Sequence, residues 1–255
     1  MIVNKIVNRI GRHLLLTRHT INKEMALMLK SILDLLFPPR CRICKKVASD
    51  PICESCAGSF MRIAGNLCTK CGKPCLREVS MCRDCSGKTL YFTCARSGGS
   101  YAGALKDAIR HLKYKNGKKL APHLARFASK AAAEFIDDIS AIAFVPLTAQ
   151  KEAKRGYNQS HLIAQELAAI YNKPLYRGLI KIKNTPDQNK LGLIERSKNV
   201  KGAFELNLPI KGKILLVDDV YTTGSTVNEC AQQLIKGGAE EVFVLTVART
   251  PLGGT

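Results

Sequence analysis

From Tyr91 onward the chain alternates between two textures of apolar residues. Tyr91 to Ala95 reads as a strand. Ala104, Leu105, Ala108, Ile109 and Leu112 then recur at the spacing of an amphipathic helix. Leu120, Leu124, Phe127, Ala131 and Phe135 predict a second helix, and Leu162 to Tyr171 a third. Between these two, Ala141 to Leu147 is a short apolar run ending at a loop, which fits a buried strand. Lys213 to Val220 sets Ile214, Leu215, Leu216 and Val217 in succession, the pattern of a strand covered on both faces. Val227, Cys230, Ala231, Leu234 and Ile235 return to helical spacing, with Gly237-Gly238 as the stop. Glu241 to Ala248 closes with a β-branched strand. Strands alternating with helices predict an α/β domain with a mainly parallel sheet.

The first third of the chain has a different pattern. Residues 25–37 place Met25, Leu29, Ile32, Leu33, Leu36 and Phe37 on one helical face, ended by Pro38-Pro39. Apolar content is low from there to a Ser-Gly-Lys linker at 86–88. The expected division is an extension and helix over 1–37, a cysteine-rich module over 38–88, and the α/β domain over 89–255. Residues 1–23 are basic, but the apolar stretch Leu14 to Leu16 is too short for a signal sequence and no small-residue cleavage site follows. No apolar run reaches the ~18 residues of a membrane span. The expected compartment is the cytoplasm.

Charge and cysteine content sharpen this picture. Of 255 residues, 40 are Lys or Arg against 20 Asp or Glu, a formal net charge of +20. That excess points to an anionic partner, nucleic acid or a phosphorylated small molecule. Ten of the 11 cysteines lie between Cys41 and Cys94, and eight form pairs two residues apart: Cys41/Cys44, Cys53/Cys56, Cys68/Cys71 and Cys82/Cys85. Such a gap lets both thiolates of a knuckle face one tetrahedral ion, so the pairs read as zinc ligands in a reducing compartment. A module this small cannot build a sufficient core, so metal must supply much of its folding energy. Spacing leaves sequential and interleaved pairing of the knuckles open, with Cys75 as a substitute ligand. Cys94 and Cys230 fall on apolar faces and read as packing residues. His111, His123 and His161 read as surface or capping residues.

The most informative stretch is KILLVDDVYTTG at Lys213 to Gly224, continued by Ser225 and Thr226. A buried strand runs into two carboxylates, Asp218 and Asp219, then into a hydroxyl- and glycine-containing turn and a helix. Free N–H groups at a helix start, its dipole and the hydroxyls of Thr222, Thr223, Ser225 and Thr226 make a phosphate cradle. Gly224 lets the backbone approach closely. The adjacent acids suit the cis-diol of a ribose. The parts jointly fit a sugar bearing a 5′-phosphate, whereas a helix cap would need one Asp or Thr alone.

VDDVYTTGST resembles the phosphoribosyl-diphosphate (PRPP) signature of type I phosphoribosyltransferases, and the cysteine module ahead of it narrows the resemblance to the ComF family of competence-associated proteins. Further matching pieces are Pro-Pro-Arg-Cys at 38–41, Lys113-Tyr114, RGYNQ at Arg155 to Gln159, and the run Gln188, Arg196, Asn199-Val200, Phe204. The resemblance implies a type I phosphoribosyltransferase core with a variable hood, an N-terminal double zinc ribbon using its knuckles in sequence, and two structural Zn²⁺. Asp218 and Asp219 would hold the ribose hydroxyls, and Thr222 to Thr226 the 5′-phosphate. The loop carrying Lys151, Lys154 and Arg155 would face the pyrophosphate, with Arg155 favoured for its bidentate fork. A solvated charge run is the alternative for the two lysines. Lys113, Tyr114, Tyr157, Asn158 and Gln159 would contact substrate, the last three alternatively capping a helix. Residues 183–204 would form a lid, with Gln188 and Arg196 as its candidates, or a passive surface loop.

The implied reaction displaces pyrophosphate from the anomeric carbon of PRPP in the presence of Mg²⁺, to an acceptor the sequence does not identify. A competing reading is a non-catalytic single-stranded DNA-binding protein on a degenerate PRPP-binding fold, alongside competence or DNA-processing partners. Residues 96–119 carry Arg96, Lys106, Arg110, Lys113, Lys115, Lys118 and Lys119 against Asp107 alone, with Tyr101 and Tyr114 interleaved as stacking surfaces.

Overall fold

Four strand signals assemble into one parallel sheet in a computed structural model, which describes residue 25, residue 35 and residues 37–183 and 200–251. The strands are β1 (Cys94–Ser100), β2 (Ala141–Phe144), β5 (Gly212–Tyr221) and β6 (Ala239–Arg249), in spatial order β1-β6-β5-β2. Every neighbouring pair is parallel. A separate antiparallel pair joins β3 (Leu179–Lys181) to β4 (Phe204–Leu206). The helices are α1 (Glu54–Gly58), α2 (Gly103–Tyr114), α3 (Ala121–Ser129), α4 (Ala149–Arg155), α5 (Gln159–Tyr171) and α6 (Ser225–Lys236).

Ile214, Leu215, Leu216 and Val217 are all fully buried, so β5 is covered on both faces as its apolar run requires. α5 packs on β5 and β2, while α3 packs on β6 and β1. Ile214 and Leu216 share a core with Val227, Cys230, Ala231 and Leu234 of α6, and also with Cys68, Cys71, Cys82 and Cys85. The second cysteine unit is therefore part of the α/β core. The chain divides into two compact units, Met1–Cys53 and Glu54–Thr255, a line that falls well before the 86–88 linker. That linker's exit is pinned to α6, where Asn228 Nδ2 donates to Thr89 O (3.0 Å) and Asn228 Oδ1 accepts from Tyr91 N (2.8 Å).

The first strand lies further along than expected, over the sequence CARSGGS. Two glycines replace the apolar payload there because the backbone is crowded: a Cβ at Gly99 would sit 2.5 Å from Met61 O. The helix expected over 120–135 ends at Ser129 and continues as a 3₁₀ turn, Lys130–Ala132. α4 was not predicted because it buries no residue; Thr148 caps its start, accepting from Lys151 N at 3.4 Å. Most of the helix expected over 25–37, and Gln188 and Arg196 of the expected lid, lie outside the described residues.

Candidate functional site

β5 carries its two acids to the carboxyl edge of the sheet and β6 runs beside it, pairing Asp218 with Thr246 and Tyr221 with Arg249. Thr222, Thr223 and Gly224 then turn the chain into α6. Gly224 has φ +80°, and a Cβ there would collide with the Tyr221 hydroxyl, so the turn needs glycine on both counts. Thr223 Oγ1 lies 2.9 Å from Ser225 Oγ and accepts from Ser225 N at 3.4 Å. Thr222 to Ser225 line a cavity of about 750 Å³. The hydroxyl-bearing turn thus faces open space at a helix start, the geometry that favours an anion. Thr226 is half-buried and is not part of that lining.

Neither Asp218 nor Asp219 is part of the lining. Asp219, 4 % exposed, has Lys113 Nζ 2.7 Å from its Oδ2. No directed hydrogen bond reaches this oxygen, so the ion pair is its compensation among the described residues. Asp218 Oδ1 accepts from Ser160 Oγ (2.8 Å) and from Asp219 N (2.9 Å). Burial, then the adjacent Asp219 charge, push the Asp218 carboxyl up to about 7 against the pull of Lys113. Burial opposes a charged Lys113, but the Asp219 carboxylate outweighs it and holds the ammonium above its ordinary range.

A third group gathers around Arg155 at the end of α4. Its guanidinium lies 5.5 Å from the centroid of the exposed Tyr114 ring, and its Nη1 donates to Gln159 Oε1. Lys154 is exposed and Lys151 half-buried. Tyr157 and Asn158 serve the scaffold here. The buried Tyr157 hydroxyl donates to Leu112 O, while Asn158 Nδ2 donates to Val145 O (3.1 Å) and its Oδ1 caps α5. The capping reading describes Asn158, and Tyr157 is a packing residue. Two histidines also differ from expectation: His111 is buried on α2, and His161 packs on Phe144 with ring centroids 4.6 Å apart. Ser160, Tyr221 and Arg249 were not singled out from sequence. Tyr221 lies within the VDDVYTTGST motif, Ser160 directly follows RGYNQ, and Arg249 ends an apolar strand at the sheet's carboxyl edge; that placement is the available signal.

The sulfurs of Cys41, Cys44, Cys53 and Cys56 lie within 4.8 Å of one another, as do those of Cys68, Cys71, Cys82 and Cys85. The knuckles thus pair in sequence, and each set of four soft donors fits tetrahedral zinc. Cys75, Cys94 and Cys230 belong to neither set. Backbone N–H groups already favour one thiolate in each. Burial opposes them, yet the amides of Cys53, Cys44 and Ile43 bring Cys41 down to about 6, and those of Cys71, Cys82 and Lys70 bring Cys68 to about 7. Burial raises Cys71 to about 11, the thiol that coordination would have to deprotonate.

A parallel sheet whose inner strand ends in paired acids and a glycine-capped hydroxyl turn, joined to two four-cysteine clusters, defines an α/β protein with zinc-ribbon units. A family described as a double zinc ribbon domain matches residues 32–86. The DNA utilization protein YhgH of Salmonella typhimurium is 32% identical over 228 residues, covering 85% of this chain and 99% of that protein. Competence protein F of Haemophilus influenzae is 30% identical over 222 residues, covering 77% and 96%. The chain belongs to the ComF family. Competence protein ComFC of Bacillus subtilis is 29% identical over 211 residues, 79% and 85% of the two chains. Among solved structures, the allosteric regulatory enzyme of purine biosynthesis aligns with TM-score 0.38 and 17% identity over 55% of this chain and 30% of its own, less than a third of that enzyme. A purine phosphoribosyltransferase from Pyrococcus horikoshii aligns with TM-score 0.32 and 16% identity, over 53% and 76%. Among the described residues no helix is long and apolar enough to cross a membrane.

Proposed function

We propose that the protein binds PRPP, with Thr222 to Thr226 receiving the 5′-phosphate and Asp218 and Asp219 the ribose hydroxyls, and that it acts in competence or DNA utilization, the roles named for its relatives. The observation that carries the reading is the Gly224-capped turn, which offers its hydroxyls and the start of α6 to the cavity directly after the paired acids. The two cysteine clusters hold structural Zn²⁺ in this reading, which suits a reducing cytoplasm. Transfer would follow if an acceptor's nucleophile formed a bond to the anomeric carbon as the bond to the diphosphate broke, with Mg²⁺ supplying positive charge to the departing diphosphate. The chain's own part is to orient the sugar and to supply cations such as Arg155 near the departing charge.

Calorimetric titration with PRPP and Mg²⁺ tests the reading. The wild-type chain is expected to bind and the Asp218→Asn/Asp219→Asn variant to lose binding. An unchanged signal in that variant refutes the ribose assignment.

Single-stranded DNA contact is supported by a separate surface. Of the cations in 96–119, Arg96 is engaged with Glu134 (2.6 Å), Lys113 with Asp219, Lys115 with His111 Nε2 (3.5 Å) and Lys118 with the Tyr157 ring (5.0 Å to the centroid), while Lys106, Arg110, Lys115, Lys118 and Lys119 are all exposed, as is Tyr114. Exposed cations together with an exposed tyrosine suit a phosphate backbone with stacked bases.

A further inference from the structure

The cavity before the turn has a second wall, and that wall is the second cysteine unit. Cys71, Asp84, Cys85 and Lys88 line it together with Thr222 to Ser225 and Glu229. Arg249, the last residue of β6, is only 7 % exposed and part of the same lining. Its Nη1 donates to the carbonyl of Cys71 at 2.7 Å, and its guanidinium lies 5.0 Å from the centroid of the Tyr221 ring. Cys71 O is the guanidinium's one hydrogen-bond acceptor among the described residues. Tyr221 in turn stands against the α-carbon of Gly224. Gly72, beside Cys71, is locked to β1: Ala95 N donates to Lys70 O at 2.8 Å, and a Cβ at Gly72 would strike Ala95 O. A buried guanidinium has five donors in a fixed plane and cannot shed its charge, so a cavity supplying one acceptor leaves it suited to an oxyanion.

We infer that Arg249 is the fixed cation of the phosphate pocket, held in place by the Cys71 carbonyl, so that the metal cluster Cys68/Cys71/Cys82/Cys85 sets the affinity for a sugar phosphate. This rests on the PRPP reading above and adds to it the residue that neutralises the phosphomonoester and the ribbon that positions it. The first cysteine cluster has no part in this wall.

The test titrates the zinc-loaded full chain with ribose 5-phosphate and with PRPP. Arg249→Met is expected to weaken both by on the order of 10- to 100-fold, the range for losing a charge-assisted hydrogen bond. Arg249→Lys keeps the charge but cannot span Cys71 O and the ligand together, and is expected to lose about tenfold. Guanidinium ion added to Arg249→Ala is expected to restore part of the affinity, which a merely structural lesion would not allow. Cys85→Ser is expected to weaken ribose 5-phosphate binding, and Cys44→Ser to leave it within about twofold. Wild-type binding with unchanged affinity in Arg249→Lys overturns the inference and leaves the PRPP reading standing, and it decides the matter even if Arg249→Met fails to fold. Unchanged affinity in Cys85→Ser overturns the role of the ribbon. A wild-type chain that binds neither ligand overturns the PRPP reading, and this inference with it.

Discussion

Lys113→Met isolates the electrostatics of the paired acids. In the native chain Lys113 Nζ is 2.7 Å from Asp219 Oδ2, with the two side chains 20% and 5% exposed. Removing one partner of a buried pair leaves an uncompensated charge and costs about 3–5 kcal/mol. The residual exposure of the lysine brings solvent close, so the lower end, about 3 kcal/mol, is expected at pH 8. Two carboxylates then face each other without a cation, and the variant's escape is to keep a proton. Asp218 already titrates at about 7, and without Lys113 it must move higher. A folded state that binds more protons than the unfolded one loses stability as pH rises. The penalty is therefore expected to be smaller near pH 5, where Asp218 carries its proton, than at pH 8. Urea unfolding of zinc-loaded protein from pH 5 to pH 8.5 measures it, and Lys113→Met/Asp219→Asn should recover most of the loss. A penalty that is flat with pH, or larger at pH 5, refutes the assignment of Lys113 as the counter-ion.

Gly224→Ala, strained at φ +80° and obstructed by Tyr221, is expected to cost about 1–2 kcal/mol and to abolish ribose 5-phosphate binding; thermal unfolding and calorimetry read the two effects. On the proposed reading the Asp218 carboxylate would accept the ribose hydroxyls, so PRPP affinity should rise about tenfold between pH 6 and pH 8 and flatten in Asp218→Asn. Metal analysis after dialysis is expected to return about two zinc per chain, with chelation unfolding the ribbons; no zinc in a folded chain would contradict the cluster assignment. Binding of labelled single-stranded DNA should weaken steeply with salt, and each of Lys106→Ala and Arg110→Ala should lower the slope by about 0.7; a flat salt dependence rules out the phosphate contacts.

The sheet was legible where its residues are buried on both faces. Ile214 to Val217 and the run from Val242 to Ala248 announce β5 and β6 because nothing but a covered strand tolerates such continuity. β1 was misplaced because close approach of Met61 to Gly99 outweighs strand propensity there, an effect that only the partner chain segment reveals. α4 escaped because a helix without a buried face leaves no period to read. Within the site, the acids, the turn and the cysteine pairs were legible as contiguous motifs. The Lys113–Asp219 pair joins residues far apart in sequence, and no local pattern encodes which lysine of a basic segment turns inward. Tyr157 carried a motif match, yet its hydroxyl is bound to the Leu112 carbonyl of a neighbouring helix.

The boundary expected at 86–88 lies where the double zinc ribbon match ends, at residue 86, although the cysteines before it are buried with the α/β core. Low apolar content marks the cysteine units as a separate module, and small metal modules do fold on their own. The second unit instead buries Cys68, Cys71, Cys82 and Cys85 against the same residues that cover β5 and α6. Cysteine ranks among the most buried residue types, so four ligands contribute packing as well as coordination. Loss of metal there would free these thiols in the middle of a shared core, where burial already holds Cys71 far from its thiolate form. The turn after β5 and the second ribbon are thereby joined through packed side chains as well as through the linker.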